Sequence, residues 1–297
     1  VLGLDDDGIA GHLSAAPRTT RVGDATRRFA EIFGGFVAPR RRRLRRDSDY
    51  CRLGRALAEA IATGDDGDFV QFVVPSPVER RLGHAFLEWK PVTTLTVLQR
   101  SLDGGDVAGP AVTEATSPRI DVIRFCDDER FARLFERCRG DFAAATVRDA
   151  AFLAHRFDAH PGGAFTVLGA VDDAGELRGY AVLRRSRDPA SAGTVVLWDW
   201  LVPADDVAAG ERLLLAAGAR ARSLGGVALA GFVPEWSPWF DRMQEAGFRV
   251  RPTPRFLFAR TSSRRHDSHW LHQNWWHTFA DTVLEPGLAV PGGARWS

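Results

Sequence analysis

The sequence predicts a mixed α/β fold built from two related units, and three observations lead there. The first is a repeat. Phe29 to Ala62, FAEIFGGFVAPRRRRLRRDSDYCRLGRALAEAIA, reads as a buried strand, a sharp turn at Pro39, an arginine-loaded loop and an amphipathic helix. Val195 to Leu224 runs through the same events, its apolar strand stopping at Pro203. The second is the matching continuation of each copy. FVQFVVPS leads into PVERRLG, and VALAGFVPEWS leads into PWFDRMQEAGF. The third is the offset of about 160 residues, too long for a solenoid period and suited to a duplicated domain. Helices and strands interleave in both copies, which sets the class.

In chain order, Val1 to Leu4 is a short apolar run. Ile9 to Ala15 reads as a strand, with a hairpin turn at Val22-Gly23-Asp24 before the central strand Phe29 to Val37. Gly34-Gly35 removes side chains from that strand and suggests a bulge or a close backbone approach. Ser48 or Asp49 can cap the next helix, whose buried stripe is predicted as Leu53, Ala56, Leu57, Ala60 and Ile61. Phe69 to Val74 is apolar except for Gln71, as for a strand covered on both faces. A short helix over Val78 to Leu82 ends at Gly83, and Val92 to Leu98 is the last strand of the first copy.

The second copy opens with the strand Ile120 to Phe125. A helix capped by Asp127 or Asp128 comes next, with Phe131, Leu134, Phe135 and Cys138 on one face. Another helix covers roughly Val147 to Phe157. Phe165 to Val171 and Leu177 to Arg184 form a hairpin ahead of the repeated core, and Phe256 to Arg260 is a late strand. The first copy has the later part of this order and lacks the opening β-α-α.

A chain of 297 residues is long enough for a substantial core and about two domains. Its net charge of +1 gives the whole molecule no electrostatic reason to seek nucleic acid or membrane. Lys90 is the only lysine, and the arginine skew fits a GC-rich, bacterial-like genome. Cys51, Cys126 and Cys138 are odd in number and lack ligand-like spacing, which implies reduced thiols and a cytoplasmic setting. No apolar run approaches bilayer length. The chain opens with Val1 and its only methionine is Met243, a pattern that favours a fragment.

The order of elements, with FAEIFGGFVAPRRR, FVQFVVPSPVERRLGHAFLEWKPV, LWDWLVP, GFVPEWSPWFDRMQEAGF, RDAAFLAHRFDAHP and NWWHTFADTVL, resembles the GNAT superfamily of acyl-CoA-dependent N-acyltransferases in a tandem two-domain form. The resemblance implies a partial GNAT-like domain over 1–105, a linker over 106–117, a complete domain over 118–284 and a flexible tail over 285–297. It also implies that the fourth strand splays from the fifth and that acyl-CoA lies in the opening. Elementary chemistry agrees with such a site. A loop feeding a helix presents unpaired N–H groups and a positive dipole end to a pyrophosphate. Diverging parallel strands leave backbone groups for a pantetheine arm.

On this basis the candidate cofactor-binding residues are Phe36, Val37 and Ala38 at the strand end, with Arg41, Arg42, Arg43, Arg45 and Arg46 in the loop. The loop departs from the family pattern. With Arg42 in the first position, the glycine positions hold Arg45 and Asp47. Arginines can replace lost backbone contacts by charge-assisted hydrogen bonds, while Asp47 and Asp49 oppose an anion. The run is therefore either a phosphate site or a solvated basic loop. In the second copy, Asp205 and Asp206 at the helix start favour capping over pyrophosphate binding.

The catalytic candidates are Asp199, near the family's carboxylate position and flanked by Trp198 and Trp200, and Glu31, further back in the first copy. Desolvation by the indoles would raise the Asp199 pKa, while a hydrogen-bonded structural carboxylate is the alternative. The family's tyrosine acid is absent from both copies at its usual place, since Tyr50 and Tyr180 lie elsewhere. Trp236 and Trp239 are candidates to line an acceptor pocket or to pack against the sheet. His266, His269, His272 and His277 show no metal-ligand spacing, so no metal is expected. The function implied is acyl-CoA-dependent N-acyl transfer, with acetyl-CoA or another acyl-CoA as co-substrate and a small-molecule or peptide amine as acceptor. No nucleic-acid or membrane partner is implied. The alternative is a catalytically degenerate GNAT-shaped binding or scaffold protein.

Overall fold

The computed structural model describes residues 1–5, 8–62, 69–102, 118–124, 129–160 and 165–282. The predicted linker over 106–117, the tail over 285–297 and the Asp127/Asp128 cap lie outside the described residues. Helices alternate with mixed sheets, and the chain divides into two compact units.

The first unit comprises Val1–Leu95, Ala144–Thr146 and Pro254–Trp275. Gly8–Val22 and Ala25–Val37 form a long antiparallel hairpin, and Gly23 supplies the left-handed backbone (φ 56°) that its tight turn needs. Ala25–Val37 then pairs in parallel with Phe69–Val73. Phe69–Val73 pairs antiparallel with Phe256–Thr261, and that strand with Lys90–Thr94. Helices Asp49–Ala62 and Pro77–Phe86 enclose a core with Leu13, Ile32, Leu53, Leu57, Val73 and Leu82.

Local details depart from the predicted pattern. Cys51, Leu53, Leu57 and Ala58 are buried, whereas Ala56 and Ala60 are exposed, so the helix is rotated toward its cysteine edge. The second helix passes through Gly83 instead of stopping there. A Cβ at Gly83 would lie 2.0 Å from the Trp89 ring, so the glycine serves a close approach rather than a helix end. Ser76 and Glu79 form a reciprocal capping box at its start.

The second unit comprises Thr96–Ala143, Val147–Thr253 and Trp276–Ser297. Its sheet runs Arg249–Arg251, Val97–Ser101, Ala228–Gly231, Thr194–Leu201, Leu177–Arg185, Thr166–Val171, Arg119–Val122. Helix Val207–Ser223 buries Leu213, Leu214 and Ala217, and helix Pro238–Glu245 buries Trp239 and Met243. Trp239 packs where Gly210 has no side chain, since a Cβ there would sit 1.8 Å from the indole.

The apolar run Val92 to Leu98, predicted as one strand of the first copy, is split between two strands. Lys90–Thr94 stays in the first sheet, while Val97–Ser101 lies between Ala228–Gly231 and Arg249–Arg251 in the second. Reciprocally, Phe256–Thr261 lies in the first sheet between Phe69–Val73 and Lys90–Thr94. Each sheet is thus completed by the other copy's late strand, an exchange that apolar periodicity alone does not encode.

Gly83→Ala is expected to destabilise the protein by about 1–3 kcal/mol despite the better helix propensity of alanine, because the methyl overpacks Trp89. The shift in urea midpoint measures it. Gly140→Ala, where a Cβ would meet nothing within 4 Å, should change stability by less than about 0.5 kcal/mol.

Candidate active site

In the first unit the parallel ladder runs from Arg28↔Phe69 to Glu31↔Phe72 and ends there. Ala25–Val37 continues, held on its other side by Gly8–Val22 as far as Val37↔Gly11. The parallel pairing therefore stops while one strand goes on. Past that point, Phe33 pairs with Ser14 and Phe36 with His12, so Gly34 and Gly35 together oppose Leu13 alone. This is a β-bulge, and Gly34 takes a left-handed φ of 66° within it. Beyond the bulge lies a pocket of about 590 Å³, within the range of small-molecule sites.

Three chain segments line it. Gly35, Phe36 and Val37 come from the bulged strand, Arg41 to Leu44 with Ser48 and Tyr50 from the loop and helix start, and Ser76, Val78, Glu79 and Leu82 from the second helix. Phe36, Leu44 and Val78 are large apolar side chains left exposed there, beside guanidinium groups. The site therefore offers hydrocarbon contacts and positive charge together, suiting an amphipathic anion.

The loop is shaped by local bonds. Pro39–Arg41 forms one 3-10 turn, and the Arg42 Nε donates to the Val37 carbonyl at 3.0 Å. Arg41 pairs with Asp49 at 3.3 Å, so one aspartate opposes an incoming anion, as the sequence suggested. Ser48 caps the helix by accepting from the Cys51 N–H at 3.3 Å.

The Tyr50 phenol lies beside the Glu79 carboxylate, and both line the pocket with the arginines. Burial, then the Glu79 carboxylate, pushes the Tyr50 pKa well above its ordinary value, so the phenol holds its proton at neutral pH. Glu79 Oε2 accepts from the Ser76 N–H at 2.8 Å, which orients the carboxylate. A Cβ at Gly35 would lie 2.5 Å from Glu79 Oε1 and 3.1 Å from the Tyr50 ring. The missing side chain at Gly35 is what lets this acid–phenol pair reach the bulged strand. Neither Tyr50 nor Glu79 was among the site residues singled out from sequence. The available signal was SPVE, whose Ser76–Glu79 spacing marks a capping box at a helix start.

Of the predicted cofactor residues, Phe36, Val37, Arg41, Arg42 and Arg43 line the pocket. Ala38 does not; its N–H is committed to the Ala10 carbonyl at 2.9 Å. Arg45 pairs instead with Asp47 at 2.9 Å, and Arg46 offers its carbonyl to Arg55 at 2.9 Å. Glu31 is buried against Arg18 at 3.1 Å and does not line the pocket. Strand alternation turns it away from the face carrying Ile32 and the core.

The second unit has the same end to its parallel pairing, since its ladder stops at Leu197↔Gly231 while Thr194–Leu201 continues. Here the space is filled. Phe279 packs edge-on to Trp198 and against Phe232, and His277 also packs against Phe232. Asp199 is fully buried. It accepts from Arg148 Nε at 3.0 Å, from the Tyr180 hydroxyl at 2.7 Å and from the Thr278 hydroxyl at 2.6 Å. Arg148 also binds Asp281 with two nitrogens, at 3.0 and 2.6 Å. Asp199, the predicted catalytic carboxylate, thus sits in a fully buried network with Arg148, Tyr180 and Thr278.

Likewise the Ala204 N–H, in the loop where a phosphate would sit, donates to Asp141 at 2.8 Å. Asp206 caps the next helix and pairs with Arg178 at 2.7 Å. Trp239, predicted to line an acceptor pocket, is a core residue. Its indole donates to the Val202 carbonyl at 2.9 Å, and its ring packs edge-on to Trp200. Trp236 is half-buried and does not line the first-unit pocket. Among the described residues, no group of three or more His, Cys, Asp or Glu side chains is placed to hold a metal ion, and no helix is long and apolar enough to cross a membrane.

A mixed sheet whose parallel pairing stops beside a strand–loop–helix is the fold of the GNAT superfamily, and the chain has that fold. No family model matches the sequence, and no curated protein matches it significantly. Solved structures do match. One is a conserved protein of unknown function from Enterococcus faecalis V583, described as a probable N-acyltransferase. It is 13% identical, with 90% of this chain and 61% of that chain covered and a TM-score of 0.60. A GCN5-related N-acetyltransferase from Anabaena variabilis is 14% identical, with 88% and 62% covered and a TM-score of 0.62. The N-myristoyltransferase of Saccharomyces cerevisiae, solved with bound myristoyl-CoA, is 14% identical, with 86% and 67% covered and a TM-score of 0.55. The chain spans about three-fifths of the length of the first two.

Arg148→Ala should cost about 3–5 kcal/mol, because it leaves Asp199 and Asp281 buried without their counter-charge. Chemical denaturation measures the loss. Burial, reinforced by Asp199, also raises the Tyr180 pKa well above its ordinary value. The folded state then keeps a proton that the unfolded chain releases near pH 10. Stability should be full below about pH 10 and fall above it, with a shallower fall in Tyr180→Phe.

Proposed function

We propose that the first-unit pocket binds an acyl-CoA and transfers its acyl group to an amine, with acetyl-CoA as the simplest donor. The observation that carries this reading is a pocket at the end of the parallel ladder, lined by Arg41 to Arg43 and by the buried Tyr50 phenol beside the half-buried Glu79. Arg41, Arg42 and Arg43 would meet the phosphates, and the freed edge of Gly35 to Val37 would meet the pantetheine arm. Phe36, Leu44 and Val78 supply apolar contacts. The known proteins of this fold that carry N-acyltransferase names support the same class of chemistry by analogy.

The chemistry assigned to the chain's own residues is short. Glu79 takes a proton from the acceptor ammonium, and the free amine attacks the thioester carbonyl. The C–N bond forms and the C–S bond breaks as Tyr50 gives its proton to the departing thiolate. The second proton of the attacking nitrogen passes to solvent as the amide forms, and the Glu79 carboxyl returns its proton to the neighbouring phenolate. A cytoplasmic setting belongs to the same proposal and agrees with the free, buried Cys51 and Cys138.

A second reading, binding without transfer, is favoured by one observation, the absence of a tyrosine from the place where the family carries its acid. Thermal and kinetic measurements separate the two. At a hundredfold excess over its Kd, coenzyme A should stabilise the protein by about 2.7 kcal/mol. Arg41→Ala with Arg43→Ala should weaken binding at least about tenfold, while Arg45→Ala with Arg46→Ala leaves it unchanged. Tyr50→Phe and Glu79→Gln should each slow transfer by about a hundredfold or more with coenzyme A affinity retained. Gln keeps the capping box, so Glu79→Gln does not confound stability. No thermal shift with millimolar coenzyme A would end the donor reading; a shift with no acyl transfer to any of a panel of amines would leave the binding module.

A further inference from the structure

The two glycines of the bulge face different partners. On the pocket side, Gly35 meets Glu79 and Tyr50. On the other side, Gly34 meets His12, whose Cε1 would lie 3.4 Å from a Cβ at that position. The extra residue of a bulge leaves backbone groups outside the ladder, free to take a side-chain partner. Here the Gly34 carbonyl is bonded to His12 Nδ1 at 2.9 Å. A carbonyl only accepts, so Nδ1 carries the proton and donates. In the neutral ring Nε2 is then the acceptor, and it lies 2.7 Å from the Ser14 hydroxyl, which donates to it. The imidazole is fixed at both nitrogens, and through it Gly34 is fixed at φ 66°.

We propose that His12, oriented by Ser14, is a positioning residue for the pocket. By holding the Gly34 carbonyl from behind, it fixes the wall Gly35 to Val37 against which the donor's thioester arm lies. This rests on the acyl-CoA reading of the site. His12 and Ser14 do not line the pocket, and neither touches the donor. Their effect passes through backbone geometry, where displacements of an ångström matter.

Coenzyme A affinity, measured by calorimetry, tests the role. His12→Ala should weaken binding about tenfold and speed amide exchange over Gly35 to Val37, with the melting transition still cooperative. His12→Asn places an amide N–H near the position of Nδ1 and should restore affinity to within about threefold. His12→Gln reaches toward the Nε2 position and should not. Ser14→Ala, a milder change, should cost about two- to threefold by releasing one end of the ring. Unchanged affinity and exchange in His12→Ala, or rescue by His12→Gln as good as by His12→Asn, overturns the positioning role alone. Failure of coenzyme A to bind the unaltered protein overturns the donor reading and this role together.

Discussion

The structure turns on the place where two parallel strands stop pairing. Past Glu31↔Phe72 in one unit and Leu197↔Gly231 in the other, one strand continues with a free edge. Free backbone donors and acceptors must be met by water, by ligand or by protein. The second unit uses protein: Phe279 and His277 fill the gap, and Thr278 and Asp281 join the buried charges of Arg148 and Asp199. The first unit uses none of these, and a pocket results. The two units therefore carry two solutions of the same constraint, one sealed by protein side chains and one left as a pocket.

The electrostatics divide in the same way. In the sealed unit, opposite charges are buried in contact, with Arg148 held between two aspartates. Its guanidinium pKa is raised; burial opposes this, and Asp199 and Asp281 outweigh it. Such a cluster is costly to break, but its worth relative to an apolar core of equal volume is modest. In the open unit, the loop arginines are largely solvated, and their charge reaches the mouth of the pocket.

Much of the framework was legible in the amino-acid order. The strand–proline–helix repeats, the hairpin at Gly23 and the bulge at Gly34-Gly35 all arise from local rules, and each is present. The candidate site was legible in half. Arg41 to Arg43 were found because a basic loop after a strand has a chemical reason to be there. Tyr50 and Glu79 were not found, because they come together only when two helices pack, and no local pattern reports a pair formed across that distance. Asp199 misled for a related reason. Two flanking indoles suggest a desolvated base, but Arg148, Tyr180, Thr278 and Asp281 arrive from remote parts of the chain. The exchanged strands were also hidden, since Val97–Ser101 is apolar enough for either sheet.

That exchange has a consequence for how the protein comes into being. The first sheet lacks its inner strand until Phe256–Thr261 has been made, long after Leu95. At ribosomal speeds of about 5–20 residues per second, the nascent sheet waits roughly ten to thirty seconds with Phe69–Val73 open on one side. An uncovered strand of that kind is a template for pairing with other chains. Synthesis thus passes through a vulnerable interval whose length is set by gene order, which gives a chaperone a defined window in which to matter.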